Sequence, residues 1–589
     1  MWRKDLLFCS LVIGGLALLA VRLLPEWQSP REGGKLAFAP TPSDLLRSVD
    51  RLNEIMAQRP EMADVTPAGR TDDLTIARRL SLGLTGTIPS LEEIRRLEAH
   101  PAEDRLSWWT QQLLSDRRYS DYLSERLARA WVGVDEGQLL LFRRRRFVSW
   151  VADELHANRP YDALVREVIS AEGLWTDRPA TNFITAAIAP GVEKEGPNEI
   201  ELAGRVTRAF LGIRLDCAEC HDHPFADWKQ SDFQGLAAFF GRAETTLMGI
   251  REKGPPFEAE DHATGISRTI EPAVPFEIQA LPPPGGSDRI RLARWVTDRE
   301  NRSFPRATVN RIWAVMFGQP LVEPIDDIPM EDDCPAALDF LANDFAVHGY
   351  DLKRLIRVIA ASDVFQRDSR TPPPKEQAEA PEPGLSEIVA NRSDAGMSEL
   401  AVSEVAASHG SESEDALPEA NGSEVADPEL PAWAVFPLRP LRPEQVVGAV
   451  IQSGSLETID YESHIVFRTV RLIQQNEFLT RYGDAGSDEL EPQTGTISQR
   501  LLLLNGKIVK ESTDTESFNT SGRIDLLAED DETAIETAYL AILTRRPRPE
   551  EMDHFRRRLE AAEEDESREQ MIEDLCATLI NTMEFSWNH

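Results

Sequence analysis

Four potential metal ligands, Cys217, Cys220, His221 and His223, fall within the seven residues CAECHDH. Two thiols separated by two residues and followed at once by an imidazole make the C-x-x-C-H arrangement that attaches haem covalently. In that chemistry Cys217 and Cys220 add to the haem vinyl groups, and His221 is placed to coordinate the iron from its proximal face. His223 is a further candidate metal ligand. Pro224 biases it away from helical dihedrals, so His221 and His223 are expected to point differently. Two other uses of the same side chains stand beside haem c. A structural zinc takes four thiolate or imidazole ligands, and adjacent Cys220 and His221 would have difficulty reaching one ion together. A disulfide between Cys217 and Cys220 would cross-link the loop without any metal. For a sixth iron ligand, Met248, Met316, Met330, His262 and His348 are available, none of them within a motif.

The flanking pattern says what must position this stretch. Ile200, Ala203, Val206, Phe210 and Ile213 fall on one stripe of an amphipathic helix over 199–213, which delivers the chain directly into Cys217. Phe225 and Trp228 supply apolar bulk beyond it, and Phe233, Leu236, Phe239 and Phe240 mark a further helix. Arg143–Arg146 reads as the solvated face of another helix whose apolar side carries Leu139, Leu140, Phe147 and Trp150.

Composition excludes several classes. A net charge of −36 argues against nucleic acid as a partner, because phosphates are bound by clustered Lys and Arg. It also disfavours broad contact with an anionic membrane surface. Five cysteines in 589 residues make no disulfide scaffold, and Cys334 and Cys576, isolated in sequence, are expected to be buried. No G-x-S-x-G, H-E-x-x-H or P-loop is present. The carboxylates Asp326, Asp327, Glu331, Asp332 and Asp333 read most simply as a solvated acidic loop.

Helical periodicity dominates the rest, so the expected fold is mainly α, with two multi-helical domains. Arg3 and Lys4 precede an apolar run from Leu6 to Leu24. As a helix it would be about 28 Å long, enough to span a bilayer. Residues 1–24 are therefore predicted to be a signal anchor, Leu18 making cleavage after Ala20 a poor alternative, and the body to be extracytoplasmic. A tether over 25–42 leads to a first helical domain, 43–243. Here Leu84 ends a helix at Gly86, and Ser90 is expected to cap the next. A similar order of helix end, proline turn and acidic first turn recurs at Leu543–Met552, which shared capping chemistry explains without duplication. A Pro-rich connector, 244–288, expected to hold one short strand, precedes a second domain over 289–370 and 431–589. Between its halves, residues 371–430 hold fourteen acidic residues against Lys375 and Arg392, with no large apolar cluster, and are predicted to be disordered.

Longer strings carry a family resemblance. LTGTIPSLEEI, FLGIRLDCAECHDHPFADWKQSDFQGLAAFF and NRIWAVMFGQPLVEPIDDI resemble the paired domains of unknown function numbered 1549 and 1553. FLANDFAVHGYDLKRLIRVIAASDVFQRDS, QRLLLLNGKIV, ILTRRPRPEEM and LINTMEFSWNH resemble the second of the pair. The resemblance covers about residues 45–243 and 288–589. Such proteins are abundant in planctomycetes and often joined to a cytochrome c domain. The resemblance therefore implies a helical architecture and a cytochrome association, but no particular reaction. Only a short tether separates the anchor from the first domain here, and RYGDAGSDELEP lacks the cysteines that many relatives place there. Together these readings predict electron transfer through haem c, serving a redox partner or an oxidative enzyme complex. The rival is a non-catalytic scaffold at the cell envelope.

Overall fold

The computed structural model describes residues 42–589 except 64, 135–141, 189–195, 225, 262–265, 331–333, 371–430, 461–462, 464–473, 476, 483–495, 515–518 and 561–567. The expected anchor, most of the tether, the acidic tract, Phe225, His262 and Glu331–Asp333 lie outside the described residues. Among the described residues no helix is long and apolar enough to cross a membrane.

The architecture is mainly helical. The first helices are α1 (Ser43–Ala57), α2 (Asp73–Thr85), α3 (Leu91–Glu98), α4 (Arg105–Ser115), α5 (Arg117–Val132), α6 (Arg144–His156), α7 (Tyr161–Ser170), α8 (Glu199–Val206) and α9 (Gln230–Ala237). Next come α10 (Asp288–Val296), α11 (Ser303–Phe317), α12 (Ala336–Val347) and α13 (Leu352–Ala360). The last stretch carries α14 (Pro443–Ser453), α15 (Ile497–Asn505), α16 (Lys507–Thr513), α17 (Thr520–Leu527), α18 (Asp531–Leu543), α19 (Pro549–Glu560) and α20 (Arg568–Ile580).

Local chemistry accounts for many of these boundaries. Asp72 caps α2 by accepting from the Leu74 and Thr75 amides, and Gly86 ends it in the left-handed region. Ser90 and Glu93 form the reciprocal capping box of α3. Gly318 ends α11 in the same left-handed region, with φ 76°. Thr544 closes α18 with the left-handed geometry that Gly86 supplies to α2.

Every residue of α11 is buried, and it is the central rod of the first part of the fold. A helix covered on all sides must satisfy its polar residues internally. Asn310 does so by accepting from the Leu321 and Val322 amides and donating to the Val322 carbonyl, which fixes the loop after the helix. Arg306 pairs with Asp339 at 2.6 Å. Around α11 pack α2, α12 and the end of the α8 segment, while α1 covers α12 and α13, and α10 lies on α7. Residues 288–360 thus pack chiefly on the N-terminal helices. A second core gathers α14 and residues up to Phe585, and takes in Leu82 and Ile88 from the first part. The helix α2 belongs to both cores.

Two expectations need correction. The Pro-rich connector holds four short strands, paired as antiparallel hairpins: β1 (Ala243–Thr246) with β2 (Gly249–Glu252), and β3 (Glu258–Asp261) with β4 (Ile266–Thr269). These strands are too short for their alternation to stand out among the prolines. In the basic run, Arg144 is buried and donates to both oxygens of Glu125 at 2.9 and 2.7 Å, whereas Arg143, Arg145 and Arg146 are exposed. A bidentate carboxylate across α5 and α6 makes burial of that one guanidinium tolerable.

Arg78 and Arg79 sit on α2 where the two cores meet. Both side chains are buried, with 2 and 1 % exposure. Burial draws their pKa values down, to about 10 and about 9. Beside them His589 is held neutral. Burial first, then the Arg78 charge, pushes its pKa down to about 4. The unfolded chain takes up that proton near pH 6.5 and the folded chain only near 4, so stability should fall as pH drops between those values. The depressed carboxyl of Glu584, held down chiefly by Arg545, adds a loss in the same direction. Urea unfolding at pH 7 and pH 4.5 should differ by on the order of 2 kcal/mol from His589, and His589→Gln should remove that part of the slope.

Candidate functional site

The CAECHDH stretch is held by its ends. The helix α8 passes into a π-helical turn, Thr207–Leu211, which Gly212 closes with φ 63°. A Cβ on Gly212 would lie 2.9 Å from Ile328 Cδ1 and 3.2 Å from Ala307 Cβ, so the left-handed φ and the close approach to α11 and the loop after it both favour glycine. The Gly212 carbonyl accepts from the Ile328 amide at 2.8 Å, and Arg311 on α11 donates to the Ala209 carbonyl at 2.7 Å. These bonds join the π turn to the central rod.

Beyond Gly212, Leu215 and Ala218 are buried while Cys217, Glu219, Cys220, His221 and Asp222 are exposed. A single 3₁₀ turn, Asp216–Ala218, starts the loop. Apolar anchors at 215 and 218 therefore present the intervening Cys217 thiol to solvent, with Cys220 just beyond. Gln230, at the start of α9, closes the loop from below. Its side chain donates to the Glu219 and Cys220 carbonyls at 3.2 and 3.1 Å, and its amide donates to Asp222 Oδ1 at 2.9 Å. The His223 amide donates to the Trp228 carbonyl at 2.8 Å, completing the turn. Trp228 leans on Phe276, ring centroids 6.3 Å apart.

The ring of His221 is oriented. Its Nδ1 lies 2.7 Å from the Asp222 carbonyl oxygen. A carbonyl can only accept, so in the neutral ring Nδ1 carries the proton and Nε2 keeps its lone pair. This is the tautomer of an imidazole that ligates metal through Nε2. His223 is half-buried, whereas His221 is exposed.

Both thiols of the motif are free and exposed. Cys334 and Cys576 are buried as expected, and burial pushes their thiols up to about 11 and about 12, which makes them inert. Among the described residues no group of three or more His, Cys, Asp or Glu is arranged to hold a metal ion. The donor set for haem c, two free thiols and an imidazole with an open Nε2, is present on one turn. Of the candidate sixth ligands, Met316 is committed to the core at 1 % exposure. The imidazole Nδ1 of His348 lies 2.8 Å from the Asp344 carbonyl, and Met248 projects from the β1–β2 turn at 64 % exposure. Asp326, from the acidic loop, pairs with Arg214 at 2.7 Å.

Sequence reasoning missed Gln230 and Asp222, which shape the loop through backbone contacts. A polar residue capping distant carbonyls leaves no local pattern.

Fold and site together define a mainly helical protein that presents a C-x-x-C-H turn on its surface. Residues 51–245 match the family PSCyt2, described as a protein of unknown function (DUF1549), and residues 288–559 match PSD1, described as a protein of unknown function (DUF1553). The chain belongs to the family that pairs these two domains. No curated protein matches it, and no solved structure does.

Proposed function

We propose that this protein transfers electrons through a haem c held by Cys217, Cys220 and His221. The observation that carries the reading is the His221 ring, whose Nδ1 is engaged by the Asp222 carbonyl beside two free thiols. Bound there, a haem supplies one-electron exchange between ferrous and ferric iron. Cys217 and Cys220 would hold the haem through thioethers, each made by adding S–H across a vinyl double bond with no leaving group and no net redox change. His221 would hold the iron through Nε2, and the Gln230 bonds hold the loop backbone in place. Asp216, Glu219 and Asp222 around the loop, on a chain of net charge −36, favour a cationic redox partner. The body lies on the extracytoplasmic side, tethered through Leu6–Leu24, where thioether formation and a cell-envelope oxidative complex are both accommodated.

The test is protein matured in a host that assembles c-type cytochromes. Denatured protein should keep its haem band. Cys217→Ser or Cys220→Ser should leave at most one thioether, and the double variant none. His221→Ala should shift the spectrum of the folded protein more than His223→Ala does. A protein without haem after maturation sinks this reading.

The joint exposure of Cys217, Cys220 and His221 favours a second reading, a non-catalytic envelope scaffold whose thiols cross-link the loop. It expects colourless, metal-free protein with two thiols that titrate only after reduction. Zinc held by the same residues would instead give stoichiometric metal lost to chelators.

A further inference from the structure

A cleft of about 500 Å³ opens where the start of α2, the segment around Asp368, the loop after α18 and the residues following α20 converge. None of its lining comes from the Cys217–Gln230 loop, so its binding chemistry is independent of any haem there. The volume is that of a small-molecule site. Its apolar lining is supplied by Leu438, Met583 and Trp587, and the first two are 52 and 64 % exposed. Large apolar side chains left open beside one another call for an apolar partner.

The charges of the cleft do not cancel. Its carboxylates are already engaged. Asp72 caps α2 and keeps its charge, Asp368 accepts from the Arg370 amide and side chain, and Glu584 takes Arg545 at 2.5 and 2.8 Å, against four lining arginines, Arg370, Arg545, Arg546 and Arg548. The cations are in excess. Arg548 makes no ion pair and no guanidinium hydrogen bond among the described residues, and Arg370 is 77 % exposed with Asp368 as its one ion-pair partner there. On α2, adjoining the cleft residues Asp72 and Thr75, the buried Arg78 and Arg79 bond to the Ile542, Phe585, Phe365, Arg367 and His589 carbonyls and to the Thr544 hydroxyl. Neither forms an ion pair within 4 Å among the described residues. Burial leaves these two guanidinium groups with carboxylates at a distance, Glu584 for Arg78 and Asp368 and Asp72 for Arg79, so they add to the positive charge beside the cleft. On a chain of net charge −36 the cleft is locally rich in arginine.

We propose that this cleft binds a small organic oxyanion, with a flat apolar body against Trp587, Leu438 and Met583 and a carboxylate, sulfonate or phosphate on Arg548 and Arg370. The guanidinium fork suits a planar or tetrahedral oxyanion, and the indole suits an aromatic or ring-shaped body.

Calorimetric titration of the full chain with 2-naphthalenesulfonate tests this, with neutral 2-naphthalenemethanol as the comparison. The sulfonate should bind with one-to-one stoichiometry, at least tenfold more tightly than the alcohol. Arg548→Gln should weaken it about tenfold, and Arg370→Gln combined with Arg548→Gln should weaken it further. Trp587→Leu should weaken both compounds. Arg370 and Arg548 are exposed, so unchanged circular dichroism and melting should accompany the loss. Failure of the sulfonate to bind at millimolar concentration, equal binding of the alcohol, or unchanged affinity in the double arginine variant overturns the proposal. A sulfonate affinity insensitive to Trp587→Leu overturns the assignment to this cleft. Heat of binding is read independently of any haem band, so failure here leaves the electron-transfer reading standing, and the reverse.

Discussion

Arg79→Met should destabilise the folded chain by about 3–5 kcal/mol, read as a lowered urea midpoint. The guanidinium binds three main-chain oxygens at once, two of them peptide carbonyls and the third on the last residue, His589. Nη1 donates to Phe365 O and Arg367 O at 3.0 and 2.7 Å, and Nε donates to His589 O at 2.7 Å. It also lies 3.7 Å from the centroid of the Phe436 ring. Each carbonyl left without a donor costs roughly 1–3 kcal/mol, while removing the buried cation returns part of its desolvation cost. The acceptors outnumber what that return can offset. Arg79→Lys sharpens the argument, because it keeps the charge and loses the planar fork. It should cost nearly as much as methionine does. Arg546→Met is the comparison: that side chain is half exposed, and its ion pairs to Glu98 and Glu536 should contribute under about 1 kcal/mol. A loss below about 1 kcal/mol in Arg79→Met would mean that these three segments hold together without it.

Gly448→Ala should be destabilising by about 3 kcal/mol, against the sign that helix propensity predicts. Within a helix, alanine in place of glycine ordinarily stabilises by roughly 1 kcal/mol. In α14 the added Cβ would stand 2.2 Å from the Gly86 carbonyl oxygen and 3.3 Å from its carbon. Both are backbone atoms, so no rotamer can move them aside. The helix is fixed to that turn from both sides, by Thr87 Oγ1 donating to the Gly448 carbonyl at 2.8 Å and Gln445 Nε2 donating to the Leu82 carbonyl at 2.9 Å. Relief of the clash must therefore pull α14 off α2 and open the second core at Leu82 and Ile88. Thermal or urea unfolding reads the result. A stabilised Gly448→Ala protein would show that α14 does not approach Gly86 so closely.

What the amino-acid sequence determined by itself was local. The Ser90 cap, the stop at Gly86 and the periodic stripe leading to Cys217 were all legible, because they depend on dihedral preference and on neighbours three or four residues apart. The candidate ligands were legible too, since C-x-x-C-H is a contiguous pattern. Tertiary structure decided the rest. That Arg78, Arg79 and Arg144 are buried is owed to carbonyls and a carboxylate brought from other segments; nothing in an arginine's neighbours announces it. The hairpins hidden among prolines, the grip of Gln230 on the Cys220 carbonyl and the placement of residues 288–360 on the N-terminal helices are likewise decided by long-range burial and backbone satisfaction. The cleft is the clearest case. Its walls come from five stretches of the chain, around residues 72, 369, 438, 546 and 586, and none of them announces a cleft until packing aligns them. Chain-neighbour energetics specify helices and their ends, but a concave surface exists only once separate helices have been packed together.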